Sequence, residues 1–412
     1  MMNKIKSPSF YRKRWLAGNI REALSISPVI VLTGARQTGK STLLKYEMPF
    51  RNWRYISFDR LDVLALAKKD PAALLSAGDD TVIDEVQKAP EVLTVIKGIV
   101  DADRRRRFIL SGSANILLMK QVSESLAGRA LYFDMRPFTL REWLRKGAPE
   151  WFFGLFNKKM PKPGIFKSLD PGVIVFKGFL PPVLRLKKSR DASLWWDGYV
   201  RTYLERDLRD LSQITSLGDF RKIMEILALR TGSILSETDV ARDLAMSQPT
   251  AHRYINLLET SCLFTKLRPY TRGRSKRVIK APKSYFLDSG LAAYLAGYRN
   301  SGSLPAEFAG HLFESLILSH LSALAGLARA DLYYWRTFGG KEREVDFIVE
   351  KERTLVAIET KLADKVTYDD IRNIMCFMND NKNCVAGLVV YRGRELTYLT
   401  KNILAVPWTA LC

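Results

Sequence analysis

Short apolar runs and amphipathic stretches alternate along the chain, and their spacing predicts most of its elements. Val29 to Leu32 form a β-branched run of buried-strand type, followed by "TGARQTGKST" and a helix-compatible stretch. "DDTVIDEVQKAP" holds a second apolar strand that ends in Asp84 and Glu85. "RRFILSGSAN" holds a third, which ends in Ser111, Gly112 and Ser113. Further on, "WWDGYVRTYLERDLRDLSQI" sets apolar residues at helical spacing among alternating charges, as an amphipathic helix does. In "LSETDVARDLAMSQPTAHRYINLLETSCLF", Ser236 caps a short helix from Glu237 to about Ala245, with Val240 and Leu244 turned inward. Pro249 then falls in the first turn of a second helix. That helix buries Ala251, Ile255 and Leu258 and exposes Thr250, His252, Arg253 and Asn256. Strand-like "LFTKLRPY" and "KSYFLD" follow, with "GVIVFKGF" a short strand upstream. The last third reads as a helix, "AEFAGHLFESLILSHLSALAG", then strands "LYYWRT", "EVDFIVE" and "LVAIETK". A helix "YDDIRNIMCFM" and a strand "CVAGLVVYRG" complete it.

The first run carries phosphate chemistry. Gly34, Ala35, Arg36, Gln37, Thr38, Gly39, Lys40 and Ser41 spell GxxxxGK[ST] between a strand and a helix. The glycines let backbone N–H groups curl around phosphate oxygens, and the helix N-terminus adds partial positive charge. Lys40 is placed to reach the β- and γ-phosphates of ATP, and Ser41 or its neighbour Thr42 to hold Mg²⁺. Asp84, at a strand's carboxyl end, suits a water-mediated Mg²⁺ contact, and Glu85 suits a general base. Ligands of open parallel sheets lie at the carboxyl ends of strands, so Ser111 or Ser113 is a candidate γ-phosphate sensor. Arg129, between a helix end and another strand, reads in two ways. It is an arginine finger, in cis or from a neighbouring subunit, or a surface arginine that closes a turn.

Charge widens the picture. The 412 residues carry a formal charge of +22, which points to polyanionic partners, nucleic acid first among them. Residues 154 to 190 hold nine Lys or Arg against the single acid Asp170, a basic connector that can lie along a phosphate backbone. From Arg268 to Lys283 there are seven basic residues and no acid. The two helices followed by this cationic hairpin give a winged-helix pattern, with Thr250, His252, Arg253, Asn256, Arg272, Arg274, Lys276 and Arg277 as candidate DNA contacts. Scaffold use of the same module is the other reading. The four cysteines form no CxxC pair, which argues against a zinc knuckle or a disulfide framework. The basic start lacks a signal peptide's apolar stretch, and no apolar run approaches the roughly 18 residues of a membrane span. A cytoplasmic protein without a membrane partner is the expectation.

"EVDFIVEKERTLVAIETK" places Asp346 in one strand and Glu359 and Lys361 in the next, the latter two on one face by period two. Two carboxylates and water make the hard-oxygen shell that Mg²⁺ prefers, and a lysine can orient or deprotonate the attacking water. Glu314 on the preceding helix is a fourth member. An active nuclease, a nuclease-like binding or structural domain, and a plain hairpin are the readings this pattern allows.

A resemblance joins these pieces. "GARQTGKSTL", "VIDEVQKAP", "LSGSAN", "SLAGRALYFDMRPFTLREW", "KGFLPP", "YVRTYLERDLRDL" and "YFLDSGLAAYL" resemble the predicted AAA-type ATPases of bacteria and archaea that carry a C-terminal domain of unknown function. The resemblance spans most of the chain and is poorest over residues 145 to 177. It implies an α/β protein with the parallel sheet of a P-loop NTPase over residues 1–145 and a connector over 146–195. A helical and winged-helix segment over 196–285 and an α/β restriction-endonuclease-like domain of PD-(D/E)XK type over 286–412 complete it. It implies ATP and Mg²⁺ as cofactors and allows a homo-oligomer. Three functions are expected: an ATPase coupled to DNA binding, a nucleotide-gated switch with little turnover, and an ATP-regulated nuclease.

Overall fold

A computed structural model of the protein describes residues 11–112, 124–202, 214, 216–337 and 342–412. They form two compact units, the first Met1–Arg136 with Thr260–Cys262, the second Pro137–Glu259 with Leu263–Cys412. The expected connector over 146–195 is therefore built into the second unit. Its helix α4, Pro171–Lys177, replaces the strand read from "GVIVFKGF". Val175, Phe176, Phe179 and Leu180 are buried there, so the apolar run serves a helix's inner face.

The first unit is a five-stranded parallel sheet of β1 (Val29–Thr33), β2 (Arg54–Ser57), β3 (Thr81–Asp84), β4 (Phe108–Ser111) and β5 (Ala130–Asp134). The strand order is β2-β3-β4-β1-β5. Helices α1 (Leu16–Ala23), α2 (Lys40–Tyr46) and α3 (Val92–Ala102) accompany it. Val29 and Val31 pack with Ile83, Leu110, Leu93 and Ile96. Ile30 and Leu32 pack with Val82, Ile109, Leu43 and Ile20. Both faces are thus covered, which is why these strands read as unbroken apolar runs rather than alternations. The carboxyl ends of β1, β3 and β4 lie side by side, with Leu32 and Asp84 both in register with Ser111.

The second unit contains two sheets. In one, β7 (Ser233–Ile234), β8 (Phe264–Leu267) and β9 (Lys283–Phe286) are antiparallel in the order β7-β9-β8. Helices α5 (Leu217–Leu229), α6 (Glu237–Asp243) and α7 (Gln248–Thr260) precede the β8–β9 hairpin, whose connection holds α8 (Arg274–Ile279). Residues 203–213 of the expected amphipathic helix lie outside the described residues. The other sheet runs β10 (Asp331–Arg336), β11 (Glu344–Lys351), β12 (Thr354–Lys361), β13 (Cys384–Tyr391), β15 (Ile403–Pro407), β14 (Glu395–Thr400), β6 (Gly164–Ile165). Helix α11 (Arg372–Asp380) packs Ile374 and Phe377 on its core. Helix α10 (Ala306–Ala328) is 23 residues long and apolar enough to cross a membrane by composition, contrary to the reading that no run approaches that length. Most of it is buried inside the unit, with Glu314, Ser315 and His320 among its buried residues.

One carboxylate ties this unit together. Asp288 caps helix α9 (Ser289–Leu295) by accepting from Gly290 N (2.9 Å). It also accepts from Phe179 N (2.8 Å) and Leu180 N (3.1 Å), the residues just after α4. Gly178 has φ 86°, and a Cβ there would collide with the Asp288 carboxylate. This contact joins the "KGFLPP" and "YFLDSGLAAYL" segments. Asp288→Ala leaves buried N–H groups unpaired, each at about 1–3 kcal/mol. It should lower the urea midpoint of the second unit with little change in slope, and an unchanged midpoint would show that the bonds carry no stability.

Candidate functional site

The loop after β1 wraps back on its own lysine. Gly34 (φ 142°), Gln37 (φ 67°) and Gly39 (φ 99°) take positive φ, and a Cβ at Gly34 would stand 2.5 Å from the Met135 carbonyl oxygen. Lys40 Nζ donates to the carbonyls of Gly34 (2.8 Å) and Ala35 (3.0 Å). Burial pulls the Lys40 ammonium down to about 8, with Glu85 and Asp84 holding it up. Thr38 is fully buried and donates to the Ala35 carbonyl (2.9 Å). Arg36 and Gln37 are exposed at the rim, while Ser41 and Thr42 are half-buried in the first turn of α2.

At the end of β3, Asp84 is 4% exposed, and its Oδ2 accepts from the Tyr55 hydroxyl. Its Oδ1 is buried with no hydrogen-bond partner, as is Ser111 Oγ beside it. A buried unpaired carboxylate oxygen costs free energy, which a cation or its bound water would recover. Asp84 and Ser111 therefore fit a site for a hydrated divalent cation at the strands' carboxyl ends. Burial of Tyr55, and then Asp84 itself, push the Tyr55 phenol up. Glu85 follows with φ 58°, an outlier for a glutamate. Burial, with Asp84 next to it, raises the Glu85 carboxyl, and Gln87 Nε2 donates to its Oε2 (2.5 Å).

One expected member is not described, and another does not join this site. Ser113 lies outside the described residues. Arg129 precedes β5 at the amino end of the sheet, since Val29 pairs with Ala130 while Thr33 pairs with Asp134. That is about 16 Å of strand from the loop, so a finger in cis is excluded. Arg129 instead bonds Asp101 (2.6 and 3.0 Å) and the Ala127 carbonyl (2.9 Å), closing a turn. Two contributors were not anticipated. Tyr55 sits in a strand with no sequence motif. Arg14, in a stretch read only for its charge, is buried and donates to the Thr38 (2.9 Å) and Arg136 (2.6 Å) carbonyls, fixing the loop.

The candidate DNA-contact residues separate. Arg253, Arg272 and Lys276 are exposed. His252 and Asn256 are joined in a polar chain: His252 bonds Glu237 (2.7 Å) and Asn256 (2.7 Å), and Lys266 bonds Glu237 (2.9 Å) and Asn256 (3.1 Å). Thr250 bonds Ser247 (2.9 Å) at the start of α7. The Arg274 side chain lies outside the described residues. Arg277 is not a nucleic-acid contact. It is 7% exposed, pairs with Glu350 (2.5 Å), and lies over the rings of Tyr270 (4.4 Å) and Tyr333 (4.6 Å).

In the second unit, Glu314, Asp346, Glu359 and Lys361 do converge. Glu359 Oε1 pairs with Lys361 (3.0 Å), while Glu359 Oε2 is buried without a partner. Asp346 Oδ2 accepts from Thr360 N (2.8 Å) and Thr360 Oγ1 (2.7 Å). Glu314 Oε1 accepts from Tyr285 (2.5 Å) and from Lys283 (3.1 Å), neither foreseen. Burial, then Asp346, push the Glu314 carboxyl up to about 7 and raise that of Glu359 well above its ordinary range.

Comparison with known proteins finds three family matches along the chain. An "AAA domain" family matches residues 27–144. Domains of unknown function match residues 173–302 (DUF8612) and 309–411 (DUF4143). The "Uncharacterized protein Rv2008c" of Mycobacterium tuberculosis is 30% identical over 401 residues, covering 96% of this chain and 83% of its own. The chain belongs to the same family as that protein. Within this AAA and DUF4143 family, the "Uncharacterized protein MJ1637" of Methanocaldococcus jannaschii is 24% identical, covering 92% of this chain and 83% of its own. A solved structure, the STAND protein with a tetratricopeptide repeat sensor PH0952 from Pyrococcus horikoshii, is 11% identical. It covers 77% of this chain and 46% of its own at a TM-score of 0.23. The AAA match covers the sheet and the loop just described.

Tyr55→Phe removes the donor to Asp84 Oδ2 and leaves both oxygens of a buried carboxylate unpaired. The expected loss is about 1–3 kcal/mol, read as faster hydrogen exchange in β2 and β3; unchanged exchange would deny the contact a role.

Proposed function

We propose that the first unit binds ATP with Mg²⁺ and hydrolyses it to ADP and phosphate. The observation that carries this reading is the buried, unpartnered Asp84 Oδ1 beside the glycine loop. Lys40 leaves the Gly34 and Ala35 carbonyls to meet the β- and γ-phosphates, which restores the charge that burial opposes. Bound Mg²⁺ neutralises charge that develops on the phosphates. Ser41 and Asp84 are the residues to hold it, Asp84 through water, with Tyr55 fixing the Asp84 carboxylate. Glu85, its carboxyl raised by burial, accepts the proton of the attacking water. Ser111 contacts the γ-phosphate side of the site. Arg129 is left the role of a finger supplied to a neighbouring copy in a homo-oligomer.

We further propose that the second unit couples this cycle to DNA. Support for a winged helix is the order α5, β7, α6, α7, β8, β9 around a three-stranded antiparallel sheet. Arg253, Arg272 and Lys276 supply exposed charge on its third helix, α7, and its hairpin. A nucleotide-gated switch with little turnover uses the same residues. Cleavage at the centre of Glu314, Asp346, Glu359 and Lys361, in a restriction-endonuclease-like domain, is the remaining alternative; their convergence favours it, and the engagement of Glu314 by Lys283 opposes it.

Lys40→Ala should lower kcat about a hundredfold or more, as loss of a single preorganised donor does. Glu85→Gln should bind ATP tightly and turn it over slowly. Normal hydrolysis in both variants would overturn the ATPase assignment; tight ATP binding with negligible wild-type turnover would select the switch. On DNA, joint replacement of Arg253, Arg272 and Lys276 by Glu should lower the slope of log K against log salt by about 2–3, near 0.9 per phosphate contact. An unchanged slope would move DNA binding elsewhere.

A further inference from the structure

The carboxylate centre of the second unit is short of positive charge. Glu314, Glu344, Asp346 and Glu359 meet there, and among the described residues only Lys283 and Lys361 are drawn in among them. Arg336 reaches Glu344 from the more exposed side at 3.7 Å. By residue type alone this is a place for a divalent cation, and the unpartnered Glu359 Oε2 points the same way.

The side chains do not fit one. A divalent cation needs several carboxylate oxygens free to converge on one point. Glu314 Oε1 is taken by Lys283 and by the Tyr285 hydroxyl. Asp346 Oδ2 is taken twice by Thr360, and Glu359 Oε1 is paired with Lys361; the second oxygen of each carboxylate is left, but the Lys283 ammonium already acts on Glu314, Asp346 and Glu344. Among the described residues, no group of three His, Cys, Asp or Glu side chains is arranged to hold a metal ion. Lys283 pairs with Glu314 and with Glu344, and its side chain is 5% exposed. Its ammonium thus stands between the helix α10 carboxylate and the β11 carboxylate.

We infer that Lys283 is the resident cation of this centre, and that the centre as folded takes no divalent metal. Lys283 comes from β9, the last strand of the basic hairpin, so the same contact bonds the three-stranded sheet to α10 and β11. The centre then acts as a charged joint within a binding module. It goes beyond the nucleotide reading and does not depend on it, since all its groups lie in the second unit.

The test is Mn²⁺ binding to the nucleotide-free full chain, followed by electron paramagnetic resonance, in wild type, Asp346→Asn, Lys283→Met and the double variant. Wild type and Asp346→Asn should bind Mn²⁺ alike, because Asp346 contributes to no metal site. Lys283→Met should gain one Mn²⁺ site, roughly tenfold tighter or more than anything wild type offers, since a like charge about 4 Å away is removed. The double variant should lose that site. A wild-type Mn²⁺ site abolished by Asp346→Asn would overturn the inference, as would a folded Lys283→Met that gains none. Should Lys283→Met not fold, the wild-type and Asp346→Asn comparison still decides, because Asn preserves the shape of Asp346. Mn²⁺ bound through the nucleotide loop is insensitive to Asp346, so failure here and failure of the ATPase reading give different results.

Discussion

Burying a carboxylate obliges the fold to supply something in return, and the two units differ in what they supply. Asp288 receives backbone N–H groups from two separate segments; burial still pushes its carboxyl up to about 6, but the donors tie α4 to α9. Glu314 receives a lysine and a tyrosine. Asp84 receives one tyrosine and keeps an oxygen unpaired. These are three answers to the same desolvation cost. Of these three only Asp84 keeps a buried oxygen unpaired, beside the glycine loop; in the second unit Glu359 Oε2 does the same next to Lys361.

Much of the first unit was legible because its local and global signals agree. Val29 to Leu32 had to be a central strand, since only a strand covered on both faces reads as an unbroken β-branched run. The GxxxxGK[ST] spacing fixes a loop that few other geometries accommodate, and the structure gives positive φ to two of its glycines. Tyr55 was not legible. Its role arises from β2 lying beside β3, a pairing across about 30 residues that no local pattern records. Of the two readings of Arg129, the turn-closing one holds and the finger in cis does not. Its position between elements allowed either, and the parallel register with β1, which local spacing does not record, sets it at the far end of the sheet.

In the second unit the strands β10 to β13 followed from their β-branched and aromatic content, while β6, β14 and β15 did not. β6 is two residues long and exists only as a partner for β14, so nothing in "GI" announces it. "GVIVFKGF" went the other way, with strand-like residues forced into α4 by Pro171 at the helix start and by Asp288 beyond its end. Arg277 shows the limit of counting charge along a chain. Seven basic residues fall between 268 and 283, yet Arg277 is consumed by Glu350 and two tyrosine rings, and Lys283 by Glu314 and Glu344. A cationic run is a contact surface only at those positions that the fold leaves facing water.

The same reasoning bears on how a nuclease-like pattern is read. Asp346, Glu359 and Lys361 occupy the strand positions that such chemistry needs, and a helical glutamate is in reach. Presence of the residues is a statement about sequence, whereas metal binding depends on which oxygens remain unspent once every neighbour has taken its share. Here the neighbour that matters lies some 60 residues upstream of the motif, on a strand of another sheet. A lysine in that place satisfies by electrostatics what a metal would otherwise satisfy by coordination, and it does so without the open ligand positions that catalysis requires. The pattern alone does not separate a cleaving site from a charged joint; on the inference drawn above, the lysine that lies outside it, Lys283, does.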